Sequence, residues 1–159
     1  MPDTALLQAD ETLFPAPLLG LAAAETVTSG LVAACLTSVS GASEIFERGY
    51  VLYHSSAKAT GLDVPAAVSA AHGAVSAEVT RGLAQGLIGH SEAGATVAVT
   101  GYAGPGGGNA SNPVGTIFIA VATRDGGLAE ERHVFPGSRD NVRLCAVKAA
   151  LALLKTQLG

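Results

Sequence analysis

The stretch Val99-Thr100-Gly101-Tyr102-Ala103-Gly104-Pro105-Gly106-Gly107-Gly108, followed by Asn112-Pro113-Val114-Gly115-Thr116, decides how the rest of the chain is read. Five of the nine residues from Thr100 to Gly108 are glycine. An apolar run from Ala95 to Val99 feeds into them, and another, Ile117 to Ala122, leaves soon after. The pattern predicts two buried strands, near 95–100 and 114–123, joined by a glycine-rich loop. Glycine admits positive φ and lacks the Cβ that would hold a ligand away. Successive N–H groups in such a turn form a concavity suited to an anion, often a phosphate. The same residues also suit a plain Gly/Pro turn between strands.

Working outward, Asp125-Gly126-Gly127 is a turn, so 128–135 is expected to return antiparallel to the strand before it. Upstream, an apolar segment near 19–25 fits a first strand, although its alanines are weak strand formers. A short strand is expected near 48–54, around Gly49 to Tyr53. Between these lie helical patterns. Thr28 or Ser29 is placed to cap a helix from Gly30 to Thr37, with Leu31, Cys35 and Val39 along one side. Ser55 opens a turn that stops at Gly61, and Pro65 opens another that runs to Ala71. Ser76 caps a longer helix with Val79, Leu83 and Leu87 in register. Ser138 caps the last, whose stripe is Val142, Cys145, Ala146, Ala149, Leu153 and Leu154. Helices alternating with buried strands imply an α/β domain. The expected architecture is a three-layer α/β/α sandwich with a mixed, mostly parallel sheet of about five strands.

The 159 residues suit one domain, 18–159, behind an irregular segment 1–17 in which Ala5 to Phe14 is a candidate short helix. Hydrophobic residues make up 48% and charged residues 14%, so apolar surface is left for an oligomer interface, and a homo-oligomer is expected. The net charge is −4 with no basic stripe, which argues against nucleic acid as partner. The first Lys or Arg is Arg48, and the early apolar stretch is broken by Pro15, Pro17 and Gly20. No signal peptide or membrane span is expected, and the location inferred is cytoplasmic. Cys35 and Cys145 read as buried small hydrophobes, and the histidines at 54, 72, 90 and 133 make no metal motif.

In an open α/β sheet ligands gather at strand ends. Three loops there carry reactive groups. The first runs Ala24-Glu25-Thr26-Val27-Thr28-Ser29-Gly30 into a helix start; the second is Tyr53-His54-Ser55-Ser56-Ala57-Lys58; the third is the glycine loop. Each has a plainer reading. Thr26 and Thr28 suit helix caps, Lys58 a solvated helix face, and His72 a loop hydrogen bond. Glu25 suits a carboxylate that holds the first loop by accepting backbone N–H groups. Arg139 and Arg143, one turn apart, suit exposed charges.

Together the loops resemble the C-terminal domain of the competence/damage-inducible protein CinA, a family that includes stand-alone nicotinamide-mononucleotide amidohydrolases. The landmarks are Ala24-Glu25 with Thr28 and Gly30; Gly41-Ala42-Ser43; Phe46-Glu47-Arg48-Gly49; Tyr53 with Lys58; His72 to Ser76; Thr100-Gly101, Ala103-Gly104-Pro105 and Gly107-Gly108; and Pro113 to Thr116. The resemblance implies hydrolysis of the amide of nicotinamide mononucleotide (NMN) to nicotinic acid mononucleotide and ammonia, without metal or cofactor. It places the nucleophile at Thr26 and the base at Lys58, with Tyr53 relaying the proton or orienting the lysine. A lysine serves as base only when burial or nearby positive charge lowers its pKa. Substrate contacts are expected from Glu25, Thr28, Ser29, Gly30, Thr100, Gly101, Ala103, Gly104, Gly106 and Gly107. Arg139 or Arg143 is expected to help hold the phosphate of the pyridine nucleotide. The family motif Ala-Glu-Ser-Cys-Thr-Gly-Gly is altered here. Thr26 stands for serine, Val27 for cysteine and Ser29 for the first glycine. That change leaves a second expectation open, a nucleotide-binding or oligomerising module without turnover.

Overall fold

The computed structural model describes residues 20–159. The chain runs β1 (Leu21–Glu25), α1 (Leu31–Leu36), a 3-10 turn (Ala42–Glu44), β2 (Phe46–Val51), α2 (Ser55–Leu62), α3 (Ala66–His72), α4 (Ala77–Gly89), β3 (Ala95–Gly101), β4 (Thr116–Thr123), β5 (Leu128–Val134) and α5 (Arg139–Leu158). The segment 1–17, with its candidate helix at Ala5 to Phe14, lies outside the described residues.

The sheet order is β2-β1-β3-β4-β5. β1 pairs parallel with β2 and β3, whereas β3–β4 and β4–β5 are antiparallel. Four strands therefore share a direction and β4 alone opposes them. The chain leaves β1 for one neighbour, β2, and returns across it to the other, β3. Loops after β1 and β3 diverge at that point, which opens a crevice at their carboxyl ends.

Helices cover both faces. Against α1 and α5 lie Leu21, Ala23, Val97, Val99, Ile117, Ile119 and Val121. Against α2 and α4 lie Ala22, Ala24, Ala98, Ala120 and Ala122. The alternation of larger residues with alanine along Val97–Val99 and Ile119–Ala122 is thus a difference between two layers. Alanine is tolerated in these strands because α4 packs close on that face. Thr96 on the same face donates its hydroxyl to the Ala84 carbonyl at 2.7 Å. α4 also packs closely on α2, since at Gly86 an added Cβ would lie 2.2 Å from the Leu62 carbonyl oxygen.

Several local expectations shift. β2 begins at Phe46 and ends at Val51, so Leu52, Tyr53 and His54 form the turn into α2. Ser55 opens that helix as expected, and His54 caps it, with Nδ1 accepting the Ser56 N–H. Ser76 and Ser138 do cap α4 and α5 through their hydroxyls. On α5 the buried stripe includes Val147, Ala150 and Leu151, whereas Cys145 is only partly buried. On α1, which ends before Val39, the buried residues are Val32, Cys35 and Leu36. Burial pushes the Cys35 thiol up to about 11, with Glu25 adding to the rise, which makes it an inert core group.

Candidate active site

The turn after β1 is built by its own residues. Glu25 is 1% exposed and accepts the N–H groups of Val32 and Ala33, at 2.8 and 3.0 Å. It therefore caps α1 in place of Thr28 or Ser29. Gly30 takes the N-cap position with no side-chain bond. Both carboxylate oxygens face α1, so Glu25 holds the loop and does not line the cavity. The Thr28 hydroxyl is fully buried and is the one such side-chain oxygen without a partner among the described residues. Ser29 adopts φ 51, and its hydroxyl donates back to the Thr26 carbonyl at 3.1 Å. That left-handed position is one glycine fills without strain. Serine fills it here with its side chain folded onto its own turn, clear of the cavity.

Thr26 is fixed to β3. Its N–H and its hydroxyl both donate to the Val99 carbonyl, each at 3.1 Å. Arg143, expected at the phosphate, instead donates Nε to the Val27 carbonyl at 3.0 Å and braces the same loop from α5.

Lys58 lies on α2, 4% exposed, with Nζ donating to the Ala74 carbonyl at 2.5 Å. Among the described residues no carboxylate is ion-paired to it. Desolvation without a compensating anion holds its pKa below the usual lysine value. A lowered pKa enlarges the fraction of the amine that is neutral and able to accept a proton.

These groups meet in a cavity of about 290 Å³ lined by Thr26, Val27, Tyr53, Ser55, Lys58, Ala74, Val75, Gly101, Tyr102, Ala103, Gly104, Gly106 and Arg139. That volume is close to the lower bound for small-molecule sites. Thr26, Tyr53 and Lys58 are brought together with the glycine loop, as the three strand ends require. Arg139 closes the rim. Its Nη1 donates to the Gly104 carbonyl at 2.9 Å and its Nη2 to the Tyr53 hydroxyl at 3.0 Å. Among the described residues the lining contains two cationic side chains and no carboxylate, in a chain of net charge −4.

Other expected contacts are absent from the lining. Thr100 is fully buried with its hydroxyl 2.8 Å from that of Thr80, so it joins β3 to α4. Gly30 and Gly107 also lie outside the lining. Gly101 is required by the strand pair as much as by any ligand, because a Cβ there would lie 2.6 Å from the Thr116 carbonyl oxygen. Sequence reasoning passed over Ser55, Tyr102, Ala74 and Val75. The position of Ser55 three residues before Lys58 was the available signal. Ala74 acts through its carbonyl, which side-chain identity does not reveal. Among the described residues no cluster of His, Cys, Asp and Glu has metal-binding geometry, and no helix is long and apolar enough to cross a membrane.

Comparison with known proteins agrees with this architecture. Residues 11–158 match the CinA C-terminal domain. A CinA-like protein of Anaeromyxobacter dehalogenans is 47% identical over 138 residues, covering 87% of this chain and 34% of that protein. One from Geobacter sp. strain M21 is 44% identical over 140 residues, covering 88% and 34%. The chain thus spans about a third of the length of the curated relatives it matches. The crystal structure of competence/damage inducible protein CihA from Agrobacterium tumefaciens superposes with a TM-score of 0.87 at 37% identity, covering 89% of this chain and 86% of that one. Fold and sequence agree, and the chain belongs to the CinA C-terminal domain family.

Proposed function

We propose that this chain hydrolyses the carboxamide of NMN, giving nicotinic acid mononucleotide and ammonia. The observation that carries the reading is Lys58, a buried amine with no carboxylate partner among the described residues, lining a cavity with Thr26, Tyr53 and Ser55. Amide hydrolysis needs a nucleophile, a base for its proton and donors for the oxyanion. Lys58 supplies the base. Thr26 occupies the position that the family resemblance gives to the nucleophile. Gly104 and Gly106 offer backbone approach without side-chain obstruction, and Arg139 supplies a cation at the rim for a phosphate.

A second reading, binding without turnover, is favoured by one specific feature. The Thr26 hydroxyl donates to the Val99 carbonyl, which commits its proton to the backbone of β3. Ammonia release from NMN, measured beside binding by calorimetry, separates the two. The hydrolytic reading expects ammonia from the wild type and none above background from Lys58→Met. Binding with no ammonia in either protein favours the second reading.

A further inference from the structure

Lys58 needs a hydroxyl to activate, and the cavity offers two aliphatic ones, Thr26 and Ser55. They are not equivalent. The Thr26 hydroxyl is bonded to the Val99 carbonyl, and the residue is 6% exposed. Its methyl group fixes χ1 and crowds a tetrahedral adduct. Ser55 is exposed and lines the cavity, and its primary hydroxyl takes part in no hydrogen bond among the described residues.

Ser55 is also the first residue of α2, an eight-residue helix, with Lys58 three positions on. Residues three apart share a helix face. The positive end of the helix favours an oxyanion at its first residue. Ser55-Ser56-Ala57-Lys58 has the Ser-x-x-Lys spacing by which penicillin-binding proteins and class A β-lactamases present a nucleophilic serine at a helix start. Four residues are a weak signal alone. Here they coincide with a helix start, a buried lysine and a shared cavity.

We propose that Ser55 is the hydroxyl Lys58 activates, forming a Ser–Lys pair on one turn of α2. The proposal rests on the hydrolytic reading above and changes its attacking atom. The Ser55 hydroxyl gives its proton to neutral Nζ while Oγ bonds to the amide carbon. The tetrahedral oxyanion collapses, the C–N bond breaks, and the Lys58 ammonium protonates the departing nitrogen, which leaves as ammonia. Water then attacks the ester and gives its proton to Nζ. The ester C–O bond breaks, the proton returns to Ser55 Oγ, and the carboxylic acid is released. Thr26 keeps its tie to β3 and shapes the wall.

The test is covalent labelling with a fluorophosphonate, which bonds to an activated serine oxygen and expels fluoride. Tryptic cleavage separates the candidates, because Thr26 lies in the peptide Met1–Arg48 and Ser55 in Gly49–Lys58. Fragmentation then locates the label within the second peptide. The expected result is a label on Ser55, absent in Ser55→Ala and formed about a hundredfold more slowly in Lys58→Met, as loss of a general base requires. A label on Thr26, no label in the wild type, or a rate indifferent to Lys58 overturns the proposal. Ammonia from NMN with the label on Thr26 removes this proposal and leaves the function standing. A Ser55 label without ammonia does the reverse, and neither signal removes both.

Discussion

Replacing Glu25 by alanine tests whether the first loop is held by a buried carboxylate. The side chain accepts two backbone N–H groups of α1 at 2.8 and 3.0 Å, from a position 1% exposed. A hydrogen bond to a charged group contributes about 1.5–3 kcal/mol, so two set a range of about 3–6 kcal/mol. Truncation also relieves the cost of keeping the carboxylate out of water, which moves the expectation to the lower end. Glu25→Ala is therefore expected to lose about 3 kcal/mol, and Glu25→Gln, which keeps one oxygen, about half as much. Urea unfolding followed by circular dichroism reads both, with the slope m unchanged if only stability is altered. A loss below about 1 kcal/mol for Glu25→Ala, the range of a single neutral bond, refutes the capping argument.

Further outcomes follow from the same contacts. Because the folded-state pKa of Lys58 lies below the unfolded value of 10.5, the unfolded chain binds more protons between the two, and stability rises with pH across that interval. Lys58→Met is expected to flatten this slope and to raise the urea midpoint more at pH 7 than at pH 10, because burial disfavours the charged amine; equal changes at the two pH values refute it. Gly86→Ala is expected to destabilise by roughly 2 kcal/mol, although alanine is ordinarily the better helix former, because its Cβ would lie 2.2 Å from the Leu62 carbonyl oxygen. A gain in thermal midpoint contradicts that packing. Arg139→Gln is expected to raise KM for NMN about tenfold, or ~1.4 kcal/mol, with much less effect on the dephosphorylated nucleoside. Equal effects on both substrates remove the phosphate role. Val51 at 54% and Val134 at 47% exposure lie on the two edge strands, and an oligomeric mass is expected in light scattering at micromolar concentration. A monomer refutes it.

The elements that declared themselves in the sequence were those whose reasons are local. The Val79, Leu83, Leu87 spacing, the Ser76 and Ser138 caps and the Asp125-Gly126-Gly127 turn need no tertiary information, and all take their expected places. Ala22 and Ala24 of β1 were legible only as weak strand formers, because their reason is the close packing of α4. Three strand ends on one sheet edge also foretold that Thr26, Tyr53 and Lys58 would converge. Side-chain direction at that edge was not legible. Glu25, Ser29, Thr100 and Arg143 all have the chemistry of ligand contacts, yet each is bonded to the protein's own backbone or to a neighbouring hydroxyl. Nothing in residue type distinguishes a donor aimed at a substrate from one aimed at a turn. The Ala74 carbonyl on Lys58 was hidden for a related reason, since every residue has one.

Hydrolysis in water enriched in oxygen-18, with NMN as substrate and mass spectrometry of the product, tests the central claim most directly. Hydrolysis of the amide, with the new carboxylate oxygen drawn from water, predicts nicotinic acid mononucleotide carrying one heavy oxygen in its carboxylate, with one ammonia released per product and neither formed by Lys58→Met. Unchanged NMN under conditions where the wild-type chain is folded contradicts the claim.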